Sequence, residues 1–350
     1  LRRPIAPPAG PSSAAASRSY TAAMPRADES QDATPPQSDP DAVVARSGRC
    51  AIVGRPNVGK STLLNALLRQ KLAIATPRPG TTRSAILGVY SSEDPPTQIA
   101  FVDTPGLHRP KSALGKVLIE QAEQGLANAD VVIFMTEIPV KRPREGEVEL
   151  VREDDIRVLE MIRDSRAPKI LAVNKVDLLK DKSRMLPLLQ AYQEQMSFDA
   201  VVPISARKRL NFDALLSEIR KHLPVGAMYD DDFFTDRPER FFVAELIREA
   251  VMNQTRQEVP HGAAAVIDDY VVDGALVRIK ATIVVEKASH KGIVIGAQGA
   301  RIKTIGTVAR GEIEKLLGQK VFLELWVKVI PGWTGDPNEA RRLATEVEQS

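Results

Sequence analysis

Gly54-Arg55-Pro56-Asn57-Val58-Gly59-Lys60-Ser61 lies between the apolar run Cys50-Ala51-Ile52-Val53 and the apolar-periodic stretch Leu63-Leu64-Asn65-Ala66-Leu67-Leu68. Strand, glycine loop and helix in that order are the setting in which G-x-x-x-x-G-K-[ST] becomes a phosphate cradle. The two glycines let backbone N–H groups turn inward onto an anion, and the helix that follows adds the positive end of its dipole. Lys60 is expected to reach the terminal phosphates. Ser61, followed by Thr62, supplies a hydroxyl for Mg2+, an ion that keeps several waters and takes few protein ligands.

Asn174-Lys175-Val176-Asp177 follows the apolar run Ile170-Leu171-Ala172-Val173. Its side chains are expected at the carboxyl end of a parallel strand, where doubly wound sheets bind ligands. Guanine offers N1–H and the N2 amine as donors, and a fixed carboxylate at Asp177 accepts both. Adenine would leave that acceptor unpaired, a mismatch of the kind that costs about 10⁴-fold in discrimination. Asp103-Thr104-Pro105-Gly106 ends another apolar run, Ile99-Ala100-Phe101-Val102. Asp103 is suited to hold Mg2+ through water, and the Gly106 N–H to sense the γ-phosphate. Thr81 and Thr82 sit in a Pro-Gly-rich loop, Thr76-Pro77-Arg78-Pro79-Gly80-Thr81-Thr82-Arg83. Thr82 is expected over Thr81 to complete the Mg2+ shell when the third phosphate is present. Ser205-Ala206, after Val201-Val202-Pro203-Ile204, is expected to back the guanine. These motif positions, with Thr62 and Leu107 beside them, make up the expected nucleotide-contacting set; Ser61, Thr82 and Asp103 are its expected metal ligands, and Lys60, Thr82 and Gly106 its expected catalytic groups.

The chain has 350 residues, enough for two domains and a tail. Its 48 Lys and Arg against 45 Asp and Glu give a net charge of +3, so only the distribution of charge can argue for a nucleic-acid partner. The single cysteine, Cys50, precludes an internal disulfide and suits a reducing, cytoplasmic compartment; its place in the first apolar strand makes it an inert core thiol. The four histidines are scattered without cysteine partners, which argues against zinc. No run approaches the roughly 18 apolar residues of a membrane span. Residues 1–47 are rich in Pro, Ala and Ser and are expected to be disordered. Residues 1–27 carry Arg2, Arg3, Arg18 and Arg26 with no acid, as an organelle transit peptide would, although their prolines oppose an amphipathic helix; Met24 is an alternative start.

From 48 to 224, apolar runs near 50, 86, 99, 131, 170 and 201 alternate with helical patterns, which calls for an α/β domain with a mainly parallel sheet. The charged stretch 141–155 reads as a solvated loop. A linker spans 225–240, a second domain 241–332, and a C-terminal tail 333–350. In the second domain a helical pattern from Phe241 precedes two strand-like runs separated by Asp273-Gly274, a hairpin signal. Then come two helices around Gly296-Ala297-Gln298-Gly299 and a strand ending near Ile330. Between 280 and 320 there are eight basic residues against Glu286, Glu312 and Glu314. Trp326 alternates with Leu325 and Val327 and is expected in the core.

With these residues laid out, the first domain resembles translation-factor-class small GTPases, its five nucleotide motifs in order. The α-β-β-α-α-β second domain resembles a type II KH domain, in which a GXXG loop clamps about four nucleotides of a single strand. There Lys287, Lys291, Arg301 and Lys303 would meet phosphates, Ile293 and Ile295 would floor the bases, and Gly296, Ala297, Gln298 and Gly299 would form the clamp. Residues 48–330 together resemble the Era family of ribosome-assembly GTPases, a likeness that extends to the motif flanks Asp103-Thr104-Pro105-Gly106-Leu107-His108 and Leu323-Glu324-Leu325-Trp326-Val327-Lys328. Where many GTPases orient the attacking water with a glutamine after D-x-x-G, this chain has Leu107. The resemblance implies slow intrinsic turnover, water positioned by other means, and Asn57 as a fourth catalytic group that helps hold a K+ ion standing in for an arginine finger; loop shaping is the other role open to Asn57. It implies as partners GTP and GDP, the 3′ end of small-subunit ribosomal RNA and the 30S-type subunit. Arg207-Lys208-Arg209 stands where the family often has glycine, leaving that loop's backbone open. A monomeric protein is expected in the cytoplasm, with peripheral contact at the inner membrane face as an option, or in an organelle matrix if the extension is a transit peptide. The competing classes are a non-enzymatic RNA chaperone with GTP as a structural ligand, a tRNA-modifying GTPase, for which a further cofactor domain is wanting, and a membrane-associated signalling GTPase.

Overall fold

The computed structural model describes residues 44–345 apart from 77, 79, 107–111, 140–149, 180, 227–228, 231–232, 256–258 and 260. The expected disordered extension up to residue 43, Leu107, and most of the charged stretch 141–155 lie outside the described residues.

Six strands, β1 (Arg46–Val53), β2 (Ile86–Glu93), β3 (Pro96–Asp103), β4 (Val131–Glu137), β5 (Lys169–Asn174) and β6 (Ala200–Pro203), form one sheet in the order β2-β3-β1-β4-β5-β6. Every neighbouring pair is parallel except β2 with β3. Cys50, Ala51, Ile52 and Val53 on the interior strand β1 are fully buried, because a parallel sheet is covered on both faces. Successive side chains point to opposite faces. Cys50 and Ile52 therefore pack with Leu63, Leu64 and Leu67 of α1 (Lys60–Leu68) and Leu215 and Ile219 of α5 (Phe212–His222). Val53 packs instead with Val158 and Ile162 of α3 (Glu153–Arg163) and Leu188 and Tyr192 of α4 (Met185–Gln195). On this face too lies α2 (Ala113–Leu126), started by Ser112, whose hydroxyl accepts from the Gly115 N–H.

The second sheet has the order β7-β8-β9, with β7 (Ala263–Asp273) antiparallel to β8 (Leu276–Val285) and β8 parallel to β9 (Lys320–Val329). One face is covered by α6 (Glu239–Gln254) and α8 (Ala300–Leu317), through Ile247 and Val251 against Ile279, Ile283, Ile305 and Ile313. The short α7 (Ala288–Ile295) precedes Gly296.

Four expectations are corrected. Trp326 is 61% exposed, on the outer face of β9 with Phe322, and its indole N–H donates to Glu324. Its neighbours Leu325 and Val327 face the core instead, so alternation assigned the right period and the wrong face. The expected tail contains α9 (Pro337–Thr345) and the fully buried Trp333, because Trp333, Ala340, Leu343 and Ala344 pack on Leu114, Val117 and Leu118 of α2 and on Ala264 and Val284. The expected linker lies along the edge of β2, with the Val89 N–H donating to Phe234 and the Thr235 hydroxyl to Leu87. Finally, Asp155, assigned to a solvated loop, is fully buried in α3 as an ion-pair partner of Arg55.

Burial pushes the Cys50 thiol far above its ordinary range, with Asp130 adding to the effect. Since the thiolate is the nucleophile, Cys50 should resist alkylation by iodoacetamide at pH 8 while the protein is folded and react completely in guanidinium, as read by intact-mass spectrometry.

Candidate functional site

The loop after β1 is shaped by close approaches that admit no side chain. A Cβ on Gly54 would lie 2.3 Å from the Met135 carbonyl oxygen of β4, and one on Gly59, whose φ is +107°, would lie 2.4 Å from the Asn174 side-chain nitrogen. Asn174 is buried at the end of β5 and donates to the Val58 carbonyl at 2.7 Å, while its side-chain oxygen accepts from the Ala206 N–H at 2.9 Å. One amide thus joins the phosphate loop, the end of β5 and the loop after β6.

These loops enclose a cleft of about 560 Å³. Of the expected nucleotide residues, Pro56, Asn57, Gly59, Lys60, Ser61, Thr62, Thr82, Gly106, Asn174, Lys175, Asp177, Ser205 and Ala206 line it. Gly54, Arg55, Val58, Thr104, Pro105 and Val176 do not, and neither does Asp103, which is fully buried behind Ser61 and Thr82. Val58 and Val176 are in cores, the Thr104 hydroxyl donates to the Ile52 carbonyl, and Arg55 turns back into the protein. Ile74, Ala75, Arg78, Leu178 and Arg207 line the cleft without having been singled out. Basic side chains in the Thr76–Arg83 and Ser205–Arg209 loops were signals available for Arg78 and Arg207; the apolar walls carried none.

At one end of the cleft the Ser61 hydroxyl donates to Asp103 at 2.7 Å and lies 2.9 Å from the Thr82 hydroxyl, which donates to the same carboxylate oxygen at 3.3 Å. The other Asp103 oxygen is buried and has no hydrogen-bond partner. A buried carboxylate with one oxygen unmatched and two hydroxyls converging on it is a hard-oxygen donor set that suits Mg2+. The Thr81 hydroxyl turns away, to Thr76 and the Arg78 carbonyl. Lys60 folds over the loop and donates to the carbonyls of Gly54 and Arg55; burial lowers its pKa to about 8 against the pull of Asp103. Burial likewise pushes the Asp103 carboxyl upward. Charges so removed from water interact strongly with any counter-charge brought beside them.

At the other end, one Asp177 oxygen accepts from the Ser205 hydroxyl at 2.7 Å, and that hydroxyl in turn accepts from the Lys208 N–H. The carboxylate, which lines the cleft, is oriented by Ser205. The Ser205–Leu210 bridge closes the loop, and the left-handed conformation falls on Arg209, with φ +56°, at a cost of about 1–2 kcal/mol for a residue with a side chain. Lys175 donates to the Asn57 carbonyl at 3.0 Å and pairs with Glu137.

Behind the cleft sequence reasoning missed a buried network. Arg55 pairs with Glu137 at 2.8 Å and Asp155 at 3.1 Å, and Asp155 also accepts from Tyr192 and Thr136. Burial works against the Arg55 charge, but Asp155 and Glu137 outweigh it and hold the guanidinium more firmly protonated. Glu137 joins Arg55 of the loop after β1 to Lys175 at the end of β5.

In the second sheet's domain, Gly296 (φ +74°), Gln298 (φ +50°) and Gly299 (φ +77°) turn the chain between α7 and α8. A Cβ on Gly296 would lie 2.7 Å from the Arg301 Cβ. Arg301 donates to the Ile293 carbonyl at 2.6 Å and so holds the two helices together. Ala297 and Gln298 are exposed at the tip, and Ile293 and Ile295 are half-buried beside it. Lys287, Lys291 and Lys303 are exposed around it, and none of the three has a carboxylate partner among the described residues. By contrast, Glu312 and Glu314 are taken up by Lys71, Lys315 and Lys320.

The fold and the cleft define a P-loop GTPase-type domain joined to a KH domain. Residues 49–175 match the 50S ribosome-binding GTPase family, and residues 258–334 match the KH domain family. The chain is 45% identical over 301 residues to the GTPase Era of Geobacter metallireducens, covering 85% of this chain and 97% of the relative. The GTPase Era of Ruminiclostridium cellulolyticum is 38% identical, over 87% and 99%. A crystal structure of Era with MgGDPNP and nucleotides 1506–1542 of 16S ribosomal RNA superposes with a TM-score of 0.79 at 39% identity, covering 86% of this chain and 99% of that one. An Aquifex aeolicus Era variant bound to GDP and AlF4− gives 0.78 at 40% identity, with the same coverage. The chain belongs to the Era family of GTPases.

Asp177→Asn should cut the preference for GTP over ATP by at least about 100-fold, because the amide meets the guanine donors with a donor of its own. Competition of ATP against labelled GDP measures it; an unchanged preference would remove Asp177 from base reading.

Proposed function

We propose that the protein is a GTP-hydrolysing switch that binds the 3′ end of small-subunit ribosomal RNA during subunit assembly. The observation that carries this reading is that the Thr76–Arg83 loop touches the metal corner and the KH domain at once. Thr82 meets Ser61 and Asp103. On either side of it, the Thr81 carbonyl accepts from the buried Arg248 of α6, and Arg83 donates to the His261 carbonyl at 3.0 Å with its guanidinium 5.4 Å over the Trp333 ring. The Ser84 hydroxyl donates to the Ala344 carbonyl of α9. A shift of Thr82 with the γ-phosphate is therefore felt at α6, the start of β7 and α9, which support the KH sheet.

Ser61, Thr82 and Asp103 would hold Mg2+, which, when bound, neutralises charge on the β- and γ-phosphates. Lys60 binds the phosphates, the Gly106 N–H reports the third of them, and Asp177, backed by Ser205, reads guanine. Asn57 lies at the cleft with φ +66° and helps hold K+, which takes over part of the charge stabilisation that a partner's arginine would give. In the KH domain Lys287, Lys291 and Lys303 meet phosphates of a single strand, and the backbone of Gly296–Gly299 approaches it closely. The 16S RNA in the similar Era structure supports ribosomal RNA as the ligand. No helix of the described residues is long and apolar enough to cross a membrane. Acting as a monomer, the protein works where small subunits are assembled, in the cytoplasm or an organelle matrix. Use of GTP as a merely structural ligand is not favoured for a member of a GTPase family.

GTP turnover measured in K+ and in Na+ at equal ionic strength should be faster in K+; equal rates would remove the ion. Gly296→Asp should weaken binding of a 16S 3′-terminal oligonucleotide at least about tenfold while leaving GTP affinity unchanged, since both the bulk and the charge fall on the strand-facing turn. Undiminished RNA binding would refute the clamp.

A further inference from the structure

Arg78, one of the residues lining the cleft, has been given no role so far. It sits four residues before Thr82 and lines the same cleft as Lys60, Ser61 and Gly106. Its Nη1 is shut off from solvent and makes no hydrogen bond. Its backbone is fixed, with its N–H donating to the Thr76 hydroxyl at 3.2 Å and its carbonyl accepting from the Thr81 hydroxyl at 2.6 Å. Those hydroxyls lie 2.8 Å apart, so a small hydrogen-bonded ring pins the arginine in register with the metal-corner threonine. No carboxylate pairs with Arg78 among the described residues, whereas Arg55 has two and Arg248 has one. A guanidinium nitrogen hidden from water and lacking an acceptor leaves a donor unmatched beside the cleft, and the ligand expected there is a polyanion.

We propose that Arg78 is a catalytic residue that contacts the triphosphate and stabilises the charge developing during hydrolysis, an arginine supplied by the chain itself. In that step the water oxygen bonds to the γ-phosphorus as the bond from phosphorus to the β–γ bridging oxygen breaks. The electron pair goes to the β-phosphate of GDP, and the water's proton ends on inorganic phosphate. Charge accumulates on the bridging and β-phosphate oxygens, where a planar five-donor guanidinium is effective. An arginine in cis serves this purpose in other GTPases. Leu107 stands where a water-orienting glutamine would be, which raises the share of catalysis left to charge stabilisation. The proposal rests on the reading of the cleft as a GTP site, and GDP binding tests that reading separately.

The experiment compares the full chain with Arg78→Ala and Arg78→Lys, with circular dichroism to confirm folding. Measured are GDP affinity, affinity for GDP with aluminium fluoride, and single-turnover GTP hydrolysis in K+. The expected result for Arg78→Ala is GDP affinity within about threefold of the parent, aluminium-fluoride-dependent tightening lost, and hydrolysis slowed about 100-fold or more. Arg78→Lys should recover part of the rate, since it keeps the charge and loses the fork. Hydrolysis and fluoride binding equal to the parent would overturn the proposal. So would equal losses of GDP and GTP affinity with an unchanged single-turnover rate, which would make Arg78 a ground-state binding group. Loss of all nucleotide binding in the parent chain would instead defeat the reading of the cleft.

Discussion

One buried amide holds the nucleotide cleft together. Asn174 gives its nitrogen to the Val58 carbonyl and its oxygen to the Ala206 N–H, and it packs so close to Gly59 that no side chain fits there. The loop that would cradle phosphate, the strand end that carries Asp177 and the loop that presents Ser205 are separate in sequence. Each is short and polar, and by itself would sample many conformations at a cost of about 1–2 kcal/mol per residue to fix. Because Asn174 is buried, an alternative arrangement would leave both its amide groups unmatched, and that penalty keeps the three loops in one relation.

The ion network behind the cleft extends this constraint from geometry to charge. Arg55 reaches past the phosphate loop to Asp155 of α3, and Glu137 joins it to Lys175. Removing one member of such a buried set typically costs about 3–5 kcal/mol, because an uncompensated charge remains. The side chain at the second position of the loop therefore serves rigidity, while backbone N–H groups are left to face the ligand. Burial of Lys60 and Asp103 on the other side has the reverse character: both are desolvated with no ion pair among the described residues to offset it, and one Asp103 oxygen has no hydrogen-bond partner.

The loop of residues 76–83 touches both domains. Arg83 and Arg248 are almost entirely buried between the two domains, and burial lowers the Arg83 pKa to about 9, with Arg248 adding to it. Arg83 of the loop reaches the His261 carbonyl and Arg248 of α6 reaches the Thr81 carbonyl, with Glu245 the carboxylate at Arg248, so directed hydrogen bonds join the domains beside the apolar contact of Trp333 and Leu343 with α2. Such an interface can be rearranged by a small displacement of its acceptors, as the proposed response to one phosphoryl group would require.

By itself the sequence determined the class of chemistry and the order of elements. Gly54–Ser61, Asp103–Gly106 and Asn174–Asp177 are contiguous, and each follows an apolar strand, so local spacing was enough to read them. The α-β-β-α-α-β order around Gly296–Gly299 was legible for the same reason. What the tertiary structure alone decided are relations between residues far apart in the chain. Asp155 read as part of a solvated loop until Arg55 met it. Trp326 read as core because alternation fixes a period but not which face is covered. Trp333 read as tail until α2 and β8 closed over it. Thr82 and Arg248 are distant in sequence, and only folding brings the loop of one against the helix of the other. Long-range contact is set by how whole surfaces pack, and a pattern confined to a few neighbouring residues does not encode it.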